Sequence, residues 1–139
     1  MTYEEWFIGH SARHADVLRR LSNMGDDEII EYFDFENMRK NEPDFCPLYA
    51  TNQKCHETEK LNCYLCACPN FRFDDNGFEK KGEKTVFSFC SIASKDGGIF
   101  ETDNAIHQNC SGCLVPHSTA YIKKNFSRNW LKCMEKVRN

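Results

Sequence analysis

Nowhere does the chain hold the ~18 consecutive apolar residues that a membrane-spanning helix needs. Its first residues, MTYEEWFIGHSARH, have no basic start followed by an apolar run, so no secretory leader is read there. No internal repeat or low-complexity segment stands out, and nothing resembles a Walker loop, a nucleotide-binding glycine turn or a hydrolase nucleophile elbow. These absences exclude a helical membrane protein and argue against the commonest nucleotide-dependent and hydrolytic enzymes. A soluble, cytoplasmic protein is the expectation.

Cysteine, by contrast, is abundant: nine in 139 residues. Cytoplasmic thiol buffers keep such residues reduced, and an odd count fits a disulfide framework poorly, so metal binding is the leading explanation. A chain of this length is also long enough to bury a core without covalent staples.

Charge divides the chain. Residues 1–45 hold 11 acids and 5 bases, and this acidic part lacks cysteine; residues 46–139 hold 10 acids and 13 bases. The mild basicity of the second part is no nucleic-acid footprint, because eight metal-bound thiolates with two divalent ions would bring it to about −1. No helix with a basic reading face follows the first cysteine pair either, which disfavours a nucleic-acid partner.

The spacing of Ala15, Leu18 and Leu21 predicts a short amphipathic helix over 11–23, ended by Gly25. Asp26 or Asp27 is placed to cap a second helix with Ile29, Ile30, Phe33 and Met38 on its apolar side, stopped by Pro43. From Phe45 to His117 periodicity fails, and only EKTVFSF (83–89) reads as a strand. Ser118 is placed to cap a final helix with Ile122, Phe126, Trp130, Cys133 and Val137 on one face. The expectation is a small, irregular α+β protein: a helical pair in residues 1–45 packed on a metal-organised, cysteine-rich domain in 46–139 that ends in a helix.

Cys133 lies on that last apolar face and reads as core packing. The eight other cysteines, Cys46, Cys55, Cys63, Cys66, Cys68, Cys90, Cys110 and Cys113, suffice for two four-ligand sites. In the pairs Cys63/Cys66 and Cys110/Cys113 one tight turn presents two sulfurs to one metal, as in zinc ribbons and iron–sulfur sites alike. Cys66 and Cys68 flank a single residue, so their sulfurs should point apart and serve different centres. The partition expected is Cys63, Cys66, Cys110 and Cys113 for one site and Cys46, Cys55, Cys68 and Cys90 for the other, with His56 or His117 as replacement ligands. His10 and His14, four apart, are read as helix surface or a packing edge, with metal binding as the lesser alternative.

The run with Cys55-His56, C-x2-C-x-C-P at Cys63 to Pro69, a lone Cys90, and C-S-x-C-x2-P-H at Cys110 to His117 resembles the cysteine-rich small domain of bacteria and archaea, sometimes described as zinc-finger-like. The resemblance covers about half the chain and implies a metal-binding module found beside or fused to cobalamin-biosynthesis proteins, with no established reaction. The eight-residue gap between Cys46 and Cys55 and the late Gly97-Gly98 pair depart from its compact pattern.

Three functions follow. The first is an iron–sulfur protein with one or two [4Fe–4S] clusters, transferring electrons to a redox partner or handing on a cluster; Cys68-Pro69, as in bacterial ferredoxin runs, favours it. The second is a structural zinc module that binds another protein. The third, an enzyme with an open metal position or a thiol nucleophile, has only Cys55, His56 and Glu57 or Glu59 to nominate, and is the weakest.

Overall fold

The structure is a computed structural model that describes residues 1–138. Helix α1 (Tyr3–Arg20) begins at a capping box: Thr2 Oγ1 accepts from the Glu5 amide, and the Glu5 carboxylate accepts from the Thr2 amide. The Asp75 carboxylate takes the next two free amides, those of Tyr3 and Glu4, at 3.0 Å each. Together they satisfy donors that a helix start leaves open and favour its positive end. The helix is longer than expected, and its buried face is the expected one only in part: Leu21 is buried and Leu18 packs against the core. Phe7, His10, His14, Val17 and Leu21 turn inward, while Ala15 is exposed.

The expected second helix is two, α2 (Asp26–Tyr32) and α3 (Phe35–Asn41). They part at Phe33-Asp34 because Leu61–Cys63 competes for the backbone there. Phe35 N donates to Leu61 O and Cys63 N to Phe33 O, each at 2.8 Å, and Asp34 bridges Asn62. The helical junction thereby anchors the first cysteine knuckle.

Six short strands follow: β1 (Phe71–Phe73), β2 (Glu79–Lys81), β3 (Lys84–Val86), β4 (Ser88–Cys90), β5 (Gly98–Glu101) and β6 (Ala105–Asn109). β1 and β4 pair antiparallel, with Phe71 opposite Cys90; the second sheet runs β2-β3-β6-β5, parallel only between β3 and β6. The segment expected as one strand, 83–89, therefore serves two sheets.

The expected last helix is also divided, into α4 (Thr119–Lys124) and α5 (Trp130–Cys133). Ser118 caps α4 as its sequence suggests, Asn125 closes it by donating to Tyr121 O, and Asn129 caps α5 through the Leu131 amide. The break keeps the apolar face in use: Ile122, Trp130, Met134 and Val137 join the residues of α1–α3 and the Leu61–Leu65 segment in one core. The architecture is α+β, small and irregular, as expected, and the acidic N-terminal part and the C-terminal helices share that core. No helix is long and apolar enough to cross a membrane.

Candidate metal centres

Asn62, almost wholly buried, holds the first knuckle to its surroundings. Its side chain donates to Ile30 O at 2.7 Å and accepts from the Tyr64 amide at 2.9 Å; its backbone exchanges hydrogen bonds with His117. Tyr64 and Leu65 are sealed in the core between Cys63 and Cys66. A loop that carries ligands is thus fixed by residues that carry none.

The next three residues decide how the cysteines divide. Cys66 N donates to Cys63 O and Cys68 N to Leu65 O, while Ala67 (φ 88°) and Cys68 (φ 59°) both take left-handed backbone conformations. That region is costly for residues with a Cβ. The turn sends neighbouring sulfurs to different places. Burial raises the Cys66 thiol pKa, and the thiolates of Cys63, Cys55 and Cys46 raise it further. Burial likewise pushes Cys63 up to about 12, helped by Cys55 and Cys46. Cys110 is pushed up to about 11, first by burial and then by Cys68, Cys113 and Cys90, and Cys68 is raised by burial with Cys90 and Cys113.

By their mutual electrostatic effects the eight cysteines fall into two sets of neighbours: Cys46, Cys55, Cys63 and Cys66, and Cys68, Cys90, Cys110 and Cys113. The expected partition, which joined the two C-x2-C pairs, differs from this grouping. Each pair instead belongs to its own set, because the left-handed turn carries Cys68 across to the second knuckle while Cys66 stays with Cys63. Cys133 stands apart, half-buried, its thiol directed at Ser127 O at 3.6 Å.

Burial favours the neutral thiol at Cys55, Cys63, Cys66, Cys68 and Cys110, and a bound metal would draw those protons off. The backbone N–H groups of Asn70 and Phe71 lower the Cys68 thiol against the effect of burial, and that of Ala67 does the same at Cys66. Ser94 Oγ lies 3.3 Å from Cys113 Sγ. Tyr49 adds a donor that its sequence position did not announce. Its hydroxyl is buried with no partner within ordinary hydrogen-bond limits, and it neighbours the Cys63 thiol, whose pKa it lowers against the effect of burial.

Both proposed replacement histidines lie at the first set. His56 Nδ1 is 3.0 Å and His117 Nε2 3.9 Å from Cys55 Sγ. Among the described residues these three form the group of metal-type donors whose ligand atoms all lie within 4.8 Å of one another; in neither four-cysteine set do three sulfurs come that close.

A cavity of about 640 Å³ is lined by Cys55 and Cys66 of the first set, by all of the second set, and by Trp6, Phe71, Ile92 and Val115. Inside it Tyr3 Oη makes hydrogen bonds with His107 Nδ1 at 2.6 Å and with Ser88 Oγ at 3.0 Å. Neither Tyr3 nor His107 carries a sequence signal for this role, since only the docking of α1 on the sheets brings them together.

His10 and His14 are not at a surface or an edge but in the core, 2% and 0% exposed. His10 stacks on Trp6 and meets Phe45 and Trp130, and His14 packs between Phe33 and Tyr64. Burial lowers their pKa values to about 3 and about 4.

No protein-family model matches the chain, and comparisons with curated proteins and with solved structures find no match. The likeness to the cysteine-rich small domain rests on the quoted motifs.

Proposed function

We propose that the chain is an iron–sulfur protein that holds a cluster in each four-cysteine set and serves in electron transfer or cluster handling. The observation that carries this reading is the neighbourhood of the thiols: Cys63, Cys55 and Cys46 act on Cys66, and Cys68, Cys113 and Cys90 act on Cys110. This gives each group the four sulfurs that a four-iron cube takes, one per iron, and Cys68-Pro69 matches the cysteine-proline step of bacterial ferredoxin runs. The adjoining cavity supplies the room.

Cys46, Cys55, Cys63 and Cys66 would hold one cluster, and Cys68, Cys90, Cys110 and Cys113 the other. Such a group supplies one-electron chemistry when bound. The chain's part is to exclude water with aromatic cover and to set the potential through N–H···S and O–H···S contacts. The short Cys66-Ala67-Cys68 link is the covalent connection between centres. Reduced cytoplasmic thiols and an external redox or acceptor protein belong to this reading.

The test is protein purified without oxygen, analysed for iron, acid-labile sulfide and zinc and by its visible spectrum. A brown sample with sulfide in step with iron supports the proposal. A colourless sample with about two zinc ions per chain overturns it in favour of a structural zinc module that binds a protein partner.

A further inference from the structure

Cys55, His56 and His117 meet in a geometry that two four-cysteine sets do not require. His117 Nδ1 lies 2.9 Å from Asn62 O, and His56 Nε2 lies 2.9 Å from Cys110 O. A carbonyl oxygen can only accept, so each of those nitrogens carries the ring proton. The opposite nitrogens, His117 Nε2 and His56 Nδ1, are therefore left as lone pairs, and both are turned on the Cys55 sulfur.

Ring orientation fixed by a backbone carbonyl is the usual second shell of a metal-binding histidine, since it locks the tautomer that presents a lone pair. Both histidines here have that arrangement independently. His117 is locked from the buried side by Asn62, which the helical junction holds; His56 is locked from the outer side by the second knuckle. The two ring centroids are 4.6 Å apart.

The distances suit one small ion. Tetrahedral zinc, with bonds of ~2.05 Å to nitrogen and ~2.3 Å to sulfur, spaces a nitrogen and a sulfur ligand about 3.6 Å apart. The observed separations of 3.0 and 3.9 Å lie on either side of that value. The ligand atoms of this trio all lie within 4.8 Å of one another.

We propose that Cys55, His56 and His117 form a third site, for a single divalent ion of the zinc type, which adjoins the first cysteine set through Cys55 and is additional to whatever fills the two sets. All three residues line the cavity, which leaves the fourth tetrahedral position to a water or to a donor atom of a molecule in the cavity. Three protein ligands and one open position is the arrangement of a catalytic rather than a structural zinc. The Cys55 thiolate, which also belongs to the first set, bridges that set to the ion through a second sulfur lone pair. The bridge explains why this cysteine is the exposed member of its set and has a histidine on each side.

The experiment uses the full chain purified without oxygen, with iron and sulfide per chain determined first, followed by equilibrium dialysis against zinc. The wild type is expected to take up one zinc per chain beyond its resident metals. His56→Ala should bind that ion at least tenfold more weakly, with iron and sulfide unchanged. Its ring is partly exposed, so this variant avoids the folding risk of replacing the buried His117. Cobalt(II) in place of zinc should give a thiolate-to-cobalt absorption in difference spectra that His56→Ala loses. Equal uptake by wild type and variant, or no uptake by either, overturns the proposal. So does loss of iron in step with the substitution, which would make His56 part of the first set alone. If the sets prove to hold zinc, the iron reading fails while the extra equivalent, measured as the difference between wild type and His56→Ala, still decides the third site.

Discussion

Cys66 and Cys68 are two positions apart in the chain, yet their thiols belong to different groups of four, with Ala67 and Cys68 both in left-handed conformations between them. The turn between them costs of order 1–3 kcal/mol per strained residue. Under the iron–sulfur proposal, metal binding at both ends would offset that cost.

Single substitutions should therefore damage one centre at a time. Cys63→Ser and Cys68→Ser are each expected to lose about half of the bound metal, and the double variant nearly all of it. Cys133→Ser, whose thiol is directed at Ser127 O and lies apart from both sets, is expected to lose none. Metal analysis of the purified variants checks this, and equal, complete loss from both single variants would show one joined centre instead.

The tight turns at Cys63–Cys66 and Cys110–Cys113 could be read in the sequence, and the reason is local: a C-x2-C pair needs nothing more. Cys133 was legible too, since helical spacing put it on an apolar face. The division of ligands was not, because it hangs on a left-handed turn at Ala67 and Cys68, residue types that give no notice of one, whereas glycine or asparagine would. His10 and His14 misled for the opposite reason. Their polarity suggests a surface, but Phe33, Tyr64 and Trp130, brought from three distant segments, supply rings that accept a neutral imidazole. The helix break at residues 125–129 left a trace in its two asparagines, both of which act as caps. The three-residue strands left almost none, being too short for alternation to show.

The buried histidines should make the fold acid-sensitive. Both have folded pKa values below the ordinary one, about 3 for His10 and about 4 for His14, because burial disfavours the charged ring. The unfolded chain, with histidines near 6.5, binds their protons first as pH falls, so stability is full above that value and declines below it. Between pH 7 and pH 5 the pair should remove roughly 4 kcal/mol. Denaturant unfolding at the two pH values checks this, and a His10→Phe/His14→Phe protein should lose most of the pH dependence. An unchanged dependence in that variant would place the sensitive groups elsewhere.

Trp130 joins the end of the chain to its beginning. It is 2% exposed and packs on Phe7, His10 and His14 of α1. Trp130→Ala should cost about 3–5 kcal/mol, the range for removing a large buried ring. Unfolding must be followed at fixed metal loading, since ligation adds its own stability. A loss under ~1 kcal/mol would mean that the helices of the two ends are not one cooperative unit.

Tyr49 offers the sharpest test of how the protein tunes its first centre. Its hydroxyl is buried without an ordinary partner and acts on Cys63 in the direction of stabilising the thiolate. Under the iron–sulfur proposal, an O–H aimed at a ligand sulfur favours the reduced, more negative form. Tyr49→Phe removes that donor and keeps the ring, which packs against Phe35 and Phe45. Deleting a hydroxyl that has no other partner costs little stability, so iron and sulfide content should stay at the wild-type level. One of the two reduction potentials should fall, by on the order of tens of millivolts, and the other should stay where it is. A redox titration followed by visible absorption reads both at once. Two unchanged potentials would mean that the hydroxyl fills space beside Cys63 without addressing its sulfur.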